Sequence, residues 1–95
     1  MRIIAGEFKG RRLKTPKTSA IRPTIDRVKE SVFSILKNEI ANARFLDLCA
    51  GSGSIGLEAI SRGAASVTFV DRDPDSIQLI RSNFCLLYTS DAADE

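Results

Sequence analysis

Phe45-Leu46-Asp47-Leu48-Cys49-Ala50-Gly51-Ser52-Gly53-Ser54-Ile55-Gly56 is the stretch whose reading decides the fold. It begins as a short apolar strand that carries an acid, Asp47, near its end. A glycine-rich turn with G-x-G-x-x-G spacing follows, and the residues after it open a helix. Twenty residues after Gly51, a second strand, Ser66-Val67-Thr68-Phe69-Val70-Asp71, ends in another acid. Strand, glycine turn, helix and acid-tipped strand form the layout of a nucleoside-cofactor pocket in an α/β sheet.

Each residue type has a physical reason to be there. Gly51 and Gly53 let the backbone turn sharply and let a ligand approach where a β-carbon would collide. Gly56 lets the helix pack close to the strand. Asp71, at the carboxyl end of its strand, is placed to accept hydrogen bonds from ribose hydroxyls. Asp47 is the more informative acid, because a carboxylate in an apolar strand is costly to bury without a partner. It either caps the loop that follows or faces a cationic ligand group. A nicotinamide dinucleotide would use the turn and the helix N-terminus to hold its pyrophosphate, and Asp47 would repel it. S-adenosylmethionine offers an ammonium that Asp47 would attract, so this cofactor is the favoured reading and the dinucleotide the alternative.

The chain has 95 residues, room for one small domain, with 43% hydrophobic and 27% charged content that suits a soluble globular protein. Charges interrupt every apolar run, which excludes a membrane span, and the first residues lack the apolar core of a secretory signal. A cytoplasmic protein is expected. Charge is distributed unevenly. Residues 1–29 hold nine Lys or Arg against Glu7 and Asp26, a balance of +7, whereas residues 30–84 hold five against seven, or −2. A basic front end on a near-neutral cofactor domain points to a polyanionic partner, with Lys9, Arg11, Arg12, Lys14 and Lys17 as phosphate contacts. The alternative is a solvated surface segment.

The remaining elements follow from pattern. Arg2–Ala5 and Arg11–Lys14 flank Gly6-Glu7-Phe8-Lys9-Gly10 as a hairpin. Thr15 to Pro23 is a polar connector. A helix from Thr24, its N-cap, to Ala41 places Ile25, Val28, Val32, Ile35, Leu36 and Ile40 on one face. Strands are predicted over Arg44–Cys49 and Ser66–Asp71, with a helix over Ser54–Arg62 that Gly63 closes. Asp73-Pro74 opens a last helix, N-cap then proline, that buries Ile77, Ile80 and Phe84.

The final eleven residues, Cys85-Leu86-Leu87-Tyr88-Thr89-Ser90-Asp91-Ala92-Ala93-Asp94-Glu95, resemble a one-frame translation of a transposase adapter used in sequencing libraries, residue for residue. Native sequence is therefore expected to stop at Phe84, and the tail is set aside from functional reasoning. Without it Cys49 is the sole cysteine, which fits a reducing compartment and excludes an internal disulfide. Cys49 itself reads as a packing residue.

Three blocks carry a more specific resemblance: Met1 to Leu13, Arg22-Pro23-Thr24-Ile25-Asp26-Arg27-Val28-Lys29-Glu30-Ser31-Val32-Phe33, and Leu46 to Gly53 continuing to Gly63-Ala64. Phe69-Val70-Asp71-Arg72-Asp73 also fits. Over residues 1–84 the chain resembles the amino-terminal half of the bacterial 16S ribosomal RNA guanine-N2 methyltransferase family, RsmD. The resemblance implies a truncated seven-stranded, Rossmann-like S-adenosylmethionine-dependent methyltransferase fold with an N-terminal β-hairpin extension. It implies a domain beginning at residue 24 behind a basic arm over 1–23. Asp47, Gly51, Ser52 and Gly53 would surround the methionine part of the cofactor, Asp71 would hold its ribose, and Thr24 and Arg27 would close one side. Arg27 suits a carboxylate or a phosphate equally, or simply the polar face of its helix. The implied partner is small-subunit ribosomal RNA or the assembling small subunit, acted on by a monomeric parent that needs no metal and no membrane.

One departure concerns the chemistry itself. Amino-group methyltransferases of this kind carry an Asp/Asn-Pro-Pro-aromatic motif after the fourth strand. Here the only prolines are Pro16, Pro23 and Pro74, none adjacent, so no catalytic residue is named and the 95-residue piece is expected to be inactive. An amino-type DNA methyltransferase, an NAD-dependent oxidoreductase and a non-catalytic RNA-binding module remain the alternatives.

Overall fold

The computed structural model describes residues 2–14, 26–48 and 51–93. The expected connector Thr15–Pro23, the Thr24 cap, Lys17 and Cys49 lie outside the described residues. The elements run α1 (Asp26–Ile40), β1 (Arg44–Leu48), α2 (Ser54–Ser61), β2 (Ser66–Val70) and α3 (Pro74–Ala93). β1 and β2 pair in parallel, with Arg44 opposite Ser66, Asp47 opposite Phe69 and Leu48 opposite Val70. Two parallel strands require a crossover, and α2 supplies it. Gly63, with φ at +103°, closes α2 as its position predicts. Asp73 caps α3: its Oδ1 accepts from the Asp75 N–H at 2.9 Å, and its carbonyl accepts from the Ile77 N–H.

Two apolar clusters lie beneath one face of the sheet. Phe33, Ile40 and Ala59 are packed by Phe45, Ile55 and Val67, while Ile3, Phe8, Leu13, Leu57 and Leu87 are packed by Ile60 and Phe69. On the sheet itself, Phe45, Asp47, Val67 and Phe69 turn toward the helices. Leu46, Leu48 and Val70 stand exposed on the other face. That alternation is the two-residue period of a strand.

Three expectations need correction. The N-terminal hairpin forms no strands, only an antiparallel bridge between Arg2 and Arg12, held by Ile3 N–H to the Arg11 carbonyl and Gly10 N–H to the Ile3 carbonyl. Its placement comes instead from contact with α2. Gly6 lies so close to Ser61 that a β-carbon there would fall 2.0 Å from the Ser61 carbonyl oxygen. The inner face of α1 is also not the predicted one, since Val28 and Ile35 are 47% and 82% exposed. Lys29 and Phe33 are buried in their place, while Ile40 is buried as predicted. Lys29 rotates the helix inward because its ammonium finds polar partners in the interior. On α3, Ile80 is buried as predicted, but Phe84 is 42% exposed and rests on Tyr88, while Ser76, Asn83 and Leu87 point inward.

α3 continues past Phe84 without a break, and Leu87 is buried. A leucine seven residues beyond Ile80 falls on the same helix face whatever its origin, so this packing follows from spacing alone.

Candidate functional site

Parallel pairing brings the two strand-end acids to one edge of the sheet, with the glycine turn between them. Asp71 accepts from the Gly51 N–H through Oδ2 at 2.9 Å and from the Asp73 N–H through Oδ1 at 2.9 Å. These bonds, Asp73 first and Gly51 second, hold its pKa below the ordinary carboxylate value. The second strand is thereby tied to the turn that follows the first.

Asp47 is buried and sends Oδ2 to the N–H of Gly56 at 3.0 Å. Burial pushes its pKa up. The Gly56 bond opposes that shift and the Asp71 charge adds to it. The bond has a structural cause. Gly53 occupies the N-cap position of α2 with φ at +84° and offers no side-chain cap, and the first turn contains no acid. Asp47 therefore supplies the missing carboxylate from the neighbouring strand. Gly56 must be glycine at this approach, because a β-carbon would lie 2.2 Å from Phe69 Cε1.

Ser52 and Gly53 are buried within the turn and Gly51 is partly exposed, with φ at +59°. The structure thus gathers Asp47, Gly51, Ser52, Gly53 and Asp71 at one place. Arg27 stands exposed on α1, and no described contact joins it to the turn. An open groove of about 1190 Å³ extends from Asp71 along α3 to Lys14, with Arg72, Gln78 and Arg81 on its walls. Lys9, Arg12 and Lys14 are exposed along the hairpin, with Arg11 half-buried beside them. Among the described residues no cluster of His, Cys, Asp or Glu could hold a metal, and no helix is long and apolar enough to cross a membrane.

A set of buried polar residues escaped the sequence reading. Glu58, on α2, accepts from the N–H groups of Ile4 (2.9 Å, Oε1) and Ala5 (3.0 Å, Oε2) and from Arg62 Nε (2.8 Å). Lys29 Nζ lies 3.4 Å from its Oε1 and donates to the Arg2 carbonyl at 2.7 Å and to Ser54 Oγ at 2.9 Å. Ser61 Oγ donates to the Ala5 carbonyl at 2.6 Å and accepts from the Phe8 N–H at 2.9 Å. Asn83 bonds to both backbone groups of Lys14 and to the Ser52 carbonyl. One sequence signal was available: α2 is apolar on more than one side, so a charge within it has little chance of reaching water.

A family model described as "Conserved hypothetical protein 95" matches residues 1–95. The chain belongs to this family. Among its relatives, "Ribosomal RNA small subunit methyltransferase D" of Escherichia coli is 42% identical over 92 residues, covering 97% of this chain and 46% of that protein. "Putative rRNA methyltransferase YlbH" of Bacillus subtilis is 49% identical over 83 residues, covering 87% of this chain and 45% of that protein. A solved structure, "Putative methyltransferase yhhF from Escherichia coli", superposes with a TM-score of 0.83 at 41% identity, over 93% of this chain and 47% of that one. The chain therefore spans about half the length of the relatives it matches. Likeness to the family does not stop at Phe84 as expected, since the family match runs through residue 95.

Proposed function

We propose that the intact protein transfers a methyl group from S-adenosylmethionine to the exocyclic N2 amine of a guanine in 16S ribosomal RNA of the small subunit. The observation that carries the choice of cofactor is Asp47 on the N-terminus of α2. A dinucleotide pyrophosphate would need the backbone donors of that helix end, but the Gly56 N–H is already bonded to a carboxylate. The site at the turn is acidic, with Asp47 and Asp71 at one edge, and suits a ligand bearing an ammonium and a diol.

In this reading Asp47 orients the methionine ammonium while its Oδ2 keeps the helix cap. The backbone of Gly51, Ser52 and Gly53 packs against the methionine portion, and Asp71 accepts from the ribose hydroxyls with lone pairs its backbone bonds leave unused. Thr24 and Arg27 are assigned to one side of the pocket on the family resemblance alone. Bound cofactor supplies an electrophilic methyl on a sulfonium. The protein's contribution is positioning, which places amine and methyl in line, with the base extruded from its stack. Guanine N2 as the acceptor rests on the resemblance to the RsmD family. The paired-proline motif that would orient the amine is assigned to the part of the family this chain does not span, so the 95-residue piece alone is read as inactive. Lys9, Arg11, Arg12, Lys14 and Lys17 are assigned to RNA phosphates. The exposed apolar sheet face of Leu46, Leu48 and Val70 supports a further layer covering that face in the intact protein, because parallel strands are ordinarily covered on both faces; the seven-stranded sheet rests on the resemblance.

The test is methyl transfer by the intact protein. Tritium from labelled S-adenosylmethionine should enter undermethylated small ribosomal subunits and be recovered on guanine N2 after nuclease digestion. Tight binding of a nicotinamide dinucleotide, with no transfer of label, would overturn the reading.

A further inference from the structure

The two ends of the N-terminal hairpin are each fastened to the glycine turn by one fully buried side chain. At the Arg2 end, Lys29 Nζ bridges the Arg2 carbonyl and the Ser54 hydroxyl. At the Lys14 end, Asn83 Oδ1 accepts from the Lys14 N–H at 2.6 Å, while Nδ2 donates to the carbonyls of Lys14 (3.2 Å) and Ser52 (3.1 Å). Lys29 and Asn83 are both 0% exposed. Ser52 and Ser54 flank Gly53, which like Gly51 takes the left-handed conformation in the turn. Any shift of the hairpin must therefore strain or break a bond on each side of Gly53.

We propose that Asn83, backed by Lys29, is a positioning residue that couples the basic hairpin to the glycine turn, so that RNA on the hairpin and cofactor at the turn strengthen each other's binding. The inference rests on the proposed function above. Its physical basis is conformational entropy. Glycine-rich backbone loses much freedom when a ligand fixes it, and a ligand that has already ordered one end of a bonded unit lowers what the second must spend. Asn83 makes the unit continuous, since one amide holds both the backbone of Lys14 at the end of the hairpin and the carbonyl of Ser52. Lys14 and Asp71 also line the same groove, so the two ligands would lie side by side.

The experiment uses the intact protein with two probes, S-adenosylhomocysteine, which cannot react, and unmethylated 16S ribosomal RNA. Calorimetry should find the wild-type Kd for S-adenosylhomocysteine lowered about fivefold or more by saturating RNA, with the RNA Kd lowered by the same factor in the reverse titration, as linkage requires. In Asn83→Ala that factor should fall to about one. Asn83→Asp, which keeps the acceptor for the Lys14 N–H but loses the donor to Ser52, should lose it as well. A residue that served stability alone would lower the melting temperature and leave the factor unchanged. Should neither variant fold, amide exchange at Ser52 and Gly53 in the wild type decides, because RNA alone should slow it. The inference is overturned by a wild-type factor near one, by an undiminished factor in a folded Asn83 variant, or by exchange at the turn that ignores RNA. Failure of the wild type to bind either probe would instead remove the proposed function. Binding of both without coupling would remove only this inference.

Discussion

Replacing Glu58 with alanine would show how far the hairpin's attachment depends on one carboxylate. Glu58 is 0% exposed and serves the N–H groups of Ile4 and Ala5, the Arg62 guanidinium and the Lys29 ammonium. Alanine would leave the Lys29 ammonium, itself 0% exposed, with only the Arg2 carbonyl and the Ser54 hydroxyl and no counter-charge. Breaking a buried ion pair from one side costs about 3–5 kcal/mol. Each backbone N–H left buried without an acceptor adds about 1–3 kcal/mol. Together these approach the whole stability of a domain, about 5–15 kcal/mol, so the protein has a cheaper response available. The hairpin is expected to lift off α2 and admit water to the freed groups, which limits the loss to about 3–5 kcal/mol. Urea denaturation of the intact protein measures the total. Amide exchange locates it: Ile4, Ala5 and Phe8 should lose protection while β1 and β2 keep theirs. A loss under about 1 kcal/mol, with Ile4 and Ala5 still protected, would refute the reasoning.

Asp71→Ala in the intact protein should weaken S-adenosylmethionine binding about tenfold, measured by calorimetry, with no gain of dinucleotide affinity. Asp47→Asn keeps an acceptor for the Gly56 N–H but removes a charge that burial disfavours. The folded pKa of Asp47 is raised from 3.8, so its protonation stabilises the fold below that value and the benefit fades as pH rises through the higher folded pKa. At pH 7 the Asn variant should therefore melt at or above wild type while binding cofactor more weakly, its thermal advantage vanishing in acid; a destabilised variant with normal cofactor affinity would reduce Asp47 to a helix cap. Replacing Arg11 and Arg12 with Ala should shallow the salt dependence of RNA binding, by a slope of about 0.7–0.9 for each phosphate no longer neutralised, and leave cofactor affinity without RNA unchanged. An independent genomic read across codons 84–95 should lack these eleven codons and continue from Phe84 into different coding sequence, and the same codons embedded in a continuous reading frame would show the tail to be native.

The β1–turn–α2–β2 unit was legible because each part of its signal is local. Apolar runs, glycines and the caps at Gly63 and Asp73 act within a few residues of themselves, and the predicted strands differ from the observed ones by a single residue at the carboxyl end. The inner faces of α1 and α3 were legible only in part, at Ile40 and Ile80. A periodicity reading assigns lysine and asparagine to solvent, so it selects Val28 and Phe84 and passes over Lys29 and Asn83. What brings the polar pair inside is long-range. Lys29 meets Arg2 and Glu58, and Asn83 meets Lys14 and Ser52, partners that no sequence window contains together. Gathering of the candidate site was readable for the same reason that the strands were: parallel pairing obliges two strand-end acids to share an edge.

The polar character of the hairpin's attachment has a consequence for how a basic arm could serve a cofactor site. Apolar contacts alone, such as Phe8 and Leu13 against Leu57, are non-directional and tolerate sliding or rotation. Hydrogen bonds to buried groups do not, since a displacement that breaks them leaves donors unpaired where water cannot reach. Glu58, Ser61, Lys29 and Asn83 bond backbone groups at Arg2, Ile4, Ala5, Phe8 and Lys14, along both sides of the hairpin. Lys9, Arg12 and Lys14 are therefore presented in a fixed register relative to Gly53. A phosphate backbone gripped there would have its position set against the turn, and aligning a nucleotide with a cofactor requires that kind of rigidity.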